Sequence, residues 1–132
     1  MLDWLHKKLP PLTGAPAVRR QKTYSAQNGY VYVYYYTGCR KDQRGAEQGT
    51  QFVFEVSGDR KAFVPVSVFL PVSAIEAWEA AHHELRANER HAIAKMALFQ
   101  AFDERANPAQ MAREILVRRA DAESIMETLE MG

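Results

Sequence analysis

Tyrosines recur at every second position, Tyr30, Tyr32, Tyr34 and Tyr36, with Val31, Val33 and Tyr35 between them. Side chains alternate across a strand, so one face of this stretch carries phenols and the other carries two valines and a fifth tyrosine. A strand apolar on both sides is expected to be covered on both. Residues 51–56 repeat the alternation, placing Phe52, Phe54 and Val56 on one face, and Ser57, Gly58, Asp59 and Arg60 then supply turn chemistry. Residues 61–70 return as a further strand with Val64, Val66, Val68 and Leu70 on one side. Pro65 has no amide to donate, which places that part of the strand at an edge or a bulge. Between the tyrosine strand and the next, residues 38–49 are polar and punctuated by glycine. They read as a long mobile loop.

After residue 70 the apolar period lengthens from two to about 3.6. Ser73 followed by Glu76 matches a capping box, and Ile75, Trp78, Ala81 and Leu85 form a single helical stripe. Asn88 is placed to cap a second helix running to about Arg105. That helix has a small-residue side (Ile93, Ala94, Ala97, Ala101) and a bulky side (Leu98, Phe99, Phe102) suited to covering a sheet. Asn107 and Pro108 resemble a capped helix start, while residues 113–118 read as a short strand around Ile115, Leu116 and Val117. Asp121 is placed to cap the last helix, whose apolar face is Ala122, Ile125, Met126 and Leu129. Strands followed by helices predict an α+β domain: an antiparallel sheet of three or four strands with three helices packed mainly on one face. Residues 1–28, with their prolines and glycine, are expected to form an extended basic N-terminal arm anchored by Trp4, and residues 29–132 the domain itself.

At 132 residues, 47% hydrophobic and 25% charged, the chain has room for one core. It contains no apolar run of the ~18 residues a membrane span needs, and its first residues lack the order of a secretory signal. A cytoplasmic location with no membrane partner is expected, and the lone Cys39, which has no partner for an internal disulfide, agrees with a reducing compartment. The net charge of +1 hides an asymmetry, because residues 1–50 hold eight basic and three acidic residues and the remainder nine and thirteen.

No metal or cofactor is expected. Adjacent His82 and His83 lie ~100° apart on a helix and cannot converge on one ion. Phosphate loops, nucleophile elbows and paired zinc histidines are absent from the sequence. Asp103, Glu104 and Arg105 read as solvated charges at a helix end. Lys95 is different, since it falls on the bulky side of the second helix near Phe99 and Phe102, one turn after His91. An amine placed there either snorkels to water or is desolvated, with a lowered pKa suited to a base, a nucleophile or an anion ligand. Lys95 and His91 are therefore the candidate catalytic pair.

Three functional readings follow. The preferred one is a small non-enzymatic binding or interaction domain that self-associates as a homodimer through Tyr30, Tyr32, Tyr34 and Tyr36. The second is a module for an anionic ligand, a nucleotide or nucleic acid, in which Arg19, Arg20 and Lys22 meet phosphates, Arg40, Lys41 and Arg44 extend the track, and exposed tyrosines stack on bases. The near-neutral total charge weighs against the nucleic-acid form of that reading. A small enzyme with a Lys95 and His91 pocket is the third.

Overall fold

The computed structural model describes residues 9–105, 108–111 and 113–129. The expected anchor Trp4 and the expected cap Asn107 lie outside them. Five strands, β1 (Lys22–Ser25), β2 (Val31–Arg44), β3 (Glu47–Ser57), β4 (Val64–Pro71) and β5 (Glu114–Leu116), form one sheet in that spatial order. The helices are α1 (Val72–Ala81), α2 (Ala87–Glu104) and α3 (Arg119–Thr128). The class is α+β, but the sheet departs from the expected one in number and sense. It has five strands curled into a half-barrel, and it is mixed, because β5 pairs in parallel with β4. The reason is the connection: a parallel neighbour needs a long crossover, and α1 and α2 supply it between β4 and β5. The remaining strand comes from the N-terminal segment, where Lys22–Ser25 pairs antiparallel with Val31–Tyr34.

The polar stretch expected as a mobile loop is instead a long hairpin. β2 continues to Arg44, a two-residue Gly45–Ala46 turn follows, and β3 begins at Glu47. Gly45 has a φ of 60°, the left-handed value a tight hairpin turn asks of its first central residue. Polarity misled here because the side chains satisfy one another on the outer sheet face. Arg44 donates from Nε to Glu114 (2.7 Å) and from Nη1 to Asp42 (2.6 Å), its guanidinium lies 4.7 Å from the Phe69 ring centroid, and Arg40 donates to Gln51 at 2.7 Å. The Arg44 hydrogen bonds hold the Glu114 carboxyl below its usual range. A bulge between Tyr36 and Gly38 shifts the register. Gly38, at a φ of 129°, lets the chain at Thr13 approach so closely that an added Cβ would lie 2.8 Å from the Thr13 carbonyl oxygen. Thr13 and Cys39 exchange backbone hydrogen bonds of 2.8 Å there, so Cys39 is a half-buried strand residue and not part of a loop.

Pro65 pairs with Glu55 on one side, while β5 reaches only Ser67–Phe69 on the other, so the proline occupies an edge stretch as its missing amide requires. All three helices join one core with the same sheet face. Ile75, Ile93, Leu98, Phe102, Ile125 and Met126 meet Tyr32, Tyr34, Phe52, Phe54, Val66, Val68 and Leu70. The helix starts differ from those expected. α1 begins at Val72 after Pro71, and the Ser73 hydroxyl donates to Glu47 (2.7 Å) instead of capping. α2 begins at Ala87, before Asn88, with Glu89 accepting the Arg86 amide at 2.9 Å. α3 begins two residues before Asp121, whose carboxylate reaches back to the Arg118 amide at 3.0 Å. In each of the last two, an acid one turn in satisfies an amide the helix leaves free.

Candidate functional site

The phenol row divides along α2. Toward the C-terminal end of that helix Tyr32 and Tyr34 are 0% and 4% exposed. Tyr32 stacks on Phe102 at 4.2 Å between centroids, and Tyr34 meets Phe99 edge-on at 5.6 Å. These two tyrosines are core residues, held where the expectation of a base-stacking or dimerising row needed them open. Burial of the side chains beneath Phe99 and Phe102 is the reason. Tyr30 falls before β2 begins and is 42% exposed.

The β1–β2 turn closes this end. Tyr24 in β1 stacks on Phe99 (4.3 Å), its hydroxyl donates to Asp103 Oδ2 (2.8 Å), and the Gln27 amide donates to Asp103 Oδ1 (3.0 Å). Asn28 Nδ2 donates to the Phe102 carbonyl at 3.1 Å and to that of Arg105, satisfying acceptors that the helix end leaves free. Asp103 is therefore a structural acceptor and not merely a solvated charge.

Two turns toward the start of α2, the same layers open into a cavity of about 240 Å³ lined by Pro16, Arg20, Lys22, Tyr34, Tyr35, Tyr36, Phe54, His91 and Lys95. Here the structure joins two groups that the sequence offered separately: Arg20 and Lys22 of the basic segment, and the His91–Lys95 pair of α2. Helix periodicity explains His91 and Lys95, four apart on one side. Antiparallel pairing explains Lys22, which stands opposite Tyr34 in the register of β1 and β2. His91 lies flat on Tyr36 at 4.2 Å and near Phe54 at 6.1 Å, and its buried Nε2 has no hydrogen-bond partner among the described residues. The Lys95 amine sits 5.9 Å from the Phe99 ring centroid.

Charge in this cavity is one-sided. Its lining includes no carboxylate, and no ion pair of Arg20, Lys22 or Lys95 is present among the described residues. Desolvation lowers the Lys95 pKa, and direct contact with Lys22 and its charge lower it further. Burial likewise lowers the pKa of His91, with Lys95 and Lys22 adding to the effect. Burial raises that of the Tyr36 hydroxyl, helped by Cys39. The surroundings thus disfavour positive charge on Lys95 and His91.

The expected phosphate track does not run unbroken from here. Arg19 turns to the other sheet face, its guanidinium 4.4 Å from the Tyr35 ring centroid, while Arg44 is neutralised by Asp42 and Glu114. Arg40 and Lys41 line a separate cavity of about 210 Å³ with Thr13, Cys39, Phe52 and Arg90. Among the described residues no cluster of His, Cys, Asp and Glu is arranged to hold a metal ion. His82 stacks on Trp78 at 4.2 Å, and His83 approaches Glu89 at 3.5 Å. No helix of the described residues is long and apolar enough to cross a membrane. Phe54 and Pro16 were not foreseen as site residues, since only strand pairing and the path of the N-terminal segment bring them to Lys95. Comparison of the chain with protein-family models, curated proteins and solved structures returns no match.

Proposed function

We propose that this α+β domain is a cytoplasmic, non-enzymatic binding module for a small organic anion, seated between α2 and the edge formed by β1 and β2. One observation carries the reading: the half-buried Lys95 and the exposed Lys22 line the same aromatic-walled cavity, with no carboxylate among its described lining residues. Like charges held together in this way destabilise the empty protein, and an anion between them reverses the sign of the interaction. The aromatic walls, Tyr36, Phe54 and His91, suit a ligand with a flat or apolar part. A cavity of about 240 Å³ and the interrupted basic track favour a compact ligand over a nucleic-acid strand.

Titration calorimetry with inorganic phosphate and with benzoate tests this reading. At least one anion is expected to bind, with affinity falling about tenfold or more in Lys95→Met, the usual scale for a lost charge-assisted hydrogen bond. If neither anion binds at low salt, the reading is wrong. Self-association is a second reading, supported by the outer face of β2, where Val31 is 38% exposed on the same side as Tyr35. Sedimentation at several concentrations checks it, and one unchanging monomer would remove it.

A further inference from the structure

We propose that Lys95 captures a 2-oxo acid as a covalent imine, with Lys22 and Arg20 holding the acid's carboxylate. This rests on the anion-binding reading and names the chemical class that the same cavity takes. A carboxylate alone needs only cations. This cavity offers in addition a half-buried primary amine in the middle of an 18-residue helix, beside the exposed amine of Lys22 and without an acid to pair with among the described residues. An amine so placed has two uses for one ligand, because a 2-oxo acid carries its electrophilic carbonyl carbon next to the anionic group. With the carboxylate drawn to Lys22 and Arg20, the carbonyl falls beside the Lys95 amine. The aromatic walls then receive the substituent on the far side of the carbonyl, which favours an aromatic or branched apolar tail.

The step balances without any redox partner. The neutral Lys95 amine donates its lone pair to the carbonyl carbon, and the carbonyl π bond breaks to leave charge on oxygen. One proton from the new ammonium passes to that oxygen and gives a carbinolamine. The oxygen takes up a second proton, supplied by solvent, and leaves as water. The product is a protonated imine: amine, ketone and one proton have become iminium and water. Lys22 assists in the first stage, since its charge and the desolvated surroundings keep more of the Lys95 amine in the nucleophilic form. His91, one turn earlier, with its buried Nε2 unpartnered among the described residues and its pKa lowered by its surroundings, is positioned to relay the proton from nitrogen to oxygen.

The experiment incubates the full chain with pyruvate and with phenylpyruvate, adds borohydride to reduce any imine, and maps the modified lysine by mass spectrometry. Calorimetry with the same acids runs alongside. The expected result is a single adduct on Lys95, heavier by the mass of the acid less one oxygen atom, with phenylpyruvate labelling more fully than pyruvate. Lys95→Arg keeps the charge and is expected to retain binding of the acids while losing the adduct. Binding of either acid by the wild-type chain without a Lys95 adduct overturns the imine and leaves the anion site standing. Adducts on Lys22, or spread over exposed amines such as Lys61, overturn it as well. Failure of both acids to bind or label overturns the imine proposal, and failure of phosphate and benzoate in addition removes the anion site itself.

Discussion

The two ends of α2 lie over the same tyrosine strand and share the same aromatic chemistry, yet they are finished in opposite ways. At the Phe102 end the stack is closed: Tyr24, Tyr32 and Tyr34 surround the ring, and Asp103 and Asn28 tie the β1–β2 turn to the helix terminus. At the Lys95 end the stack stops short, and three cations and a histidine join the aromatic lining, with no carboxylate among the described lining residues. A fold needs the first arrangement. The second gains less from folding, since the half-buried Lys95 amine sits beside the like charge of the exposed Lys22. The comparison separates the end that holds the domain together from the end where the proposed ligand would sit.

Breaking the closed end should have the largest effect. Phe102→Ala removes a fully buried ring at the centre of the stack, and urea denaturation should show a loss of about 3–5 kcal/mol. Asp103→Asn keeps the shape but weakens two hydrogen bonds accepted by a charged group, and a loss of about 1–3 kcal/mol is expected in the same measurement. The open end should respond with the other sign. Lys95→Met removes the like-charge contact and fills the cavity edge with carbon, so thermal unfolding should show a gain of roughly 0.5–2 kcal/mol. A lower melting temperature would mean that Lys95 has a stabilising partner and would weaken the contrast between the two ends.

The smallest expected effect is a pH dependence. His91 is held below its ordinary pKa, first by burial and then by Lys95 and Lys22. Above the unfolded value of about 6.5 neither state protonates it, and as pH falls below that value the unfolded chain takes up the proton first. Stability therefore declines as pH drops from about 6.5 through the lowered folded pKa, and levels off once both forms are protonated. His91→Gln should remove this component, visible as a flatter melting temperature between about pH 7 and pH 5.

Much of the closed end was legible in the residues. Alternation in 30–36 and 51–56 and the helical spacing of Leu98 and Phe102 are local patterns, and they point to the layers that form. Lys95 stood out for the same reason, as a charge on an apolar stripe. The hairpin through Gly45 was not legible by polarity, because Arg44, Asp42 and Glu114 satisfy one another across the sheet, and two of them are 70 residues apart. The phenol row was legible as a row on a strand expected to be covered, but which of its phenols α2 would bury was not, since alternation gives the side of a strand and not what lies upon it.

By itself, then, the order of residues determined the period of each element, and with it the faces that seek cover, because those follow from the geometry of one strand or one helix. Tertiary structure alone decided that β5 runs parallel to β4, that Lys22–Ser25 forms an edge strand, and that this strand brings Lys22 and Arg20 to Lys95. The physical reason is range. Periodicity acts within a turn or a strand, whereas the meeting of Lys22 with Lys95 depends on closing more than half the chain into one sheet and laying a helix across it.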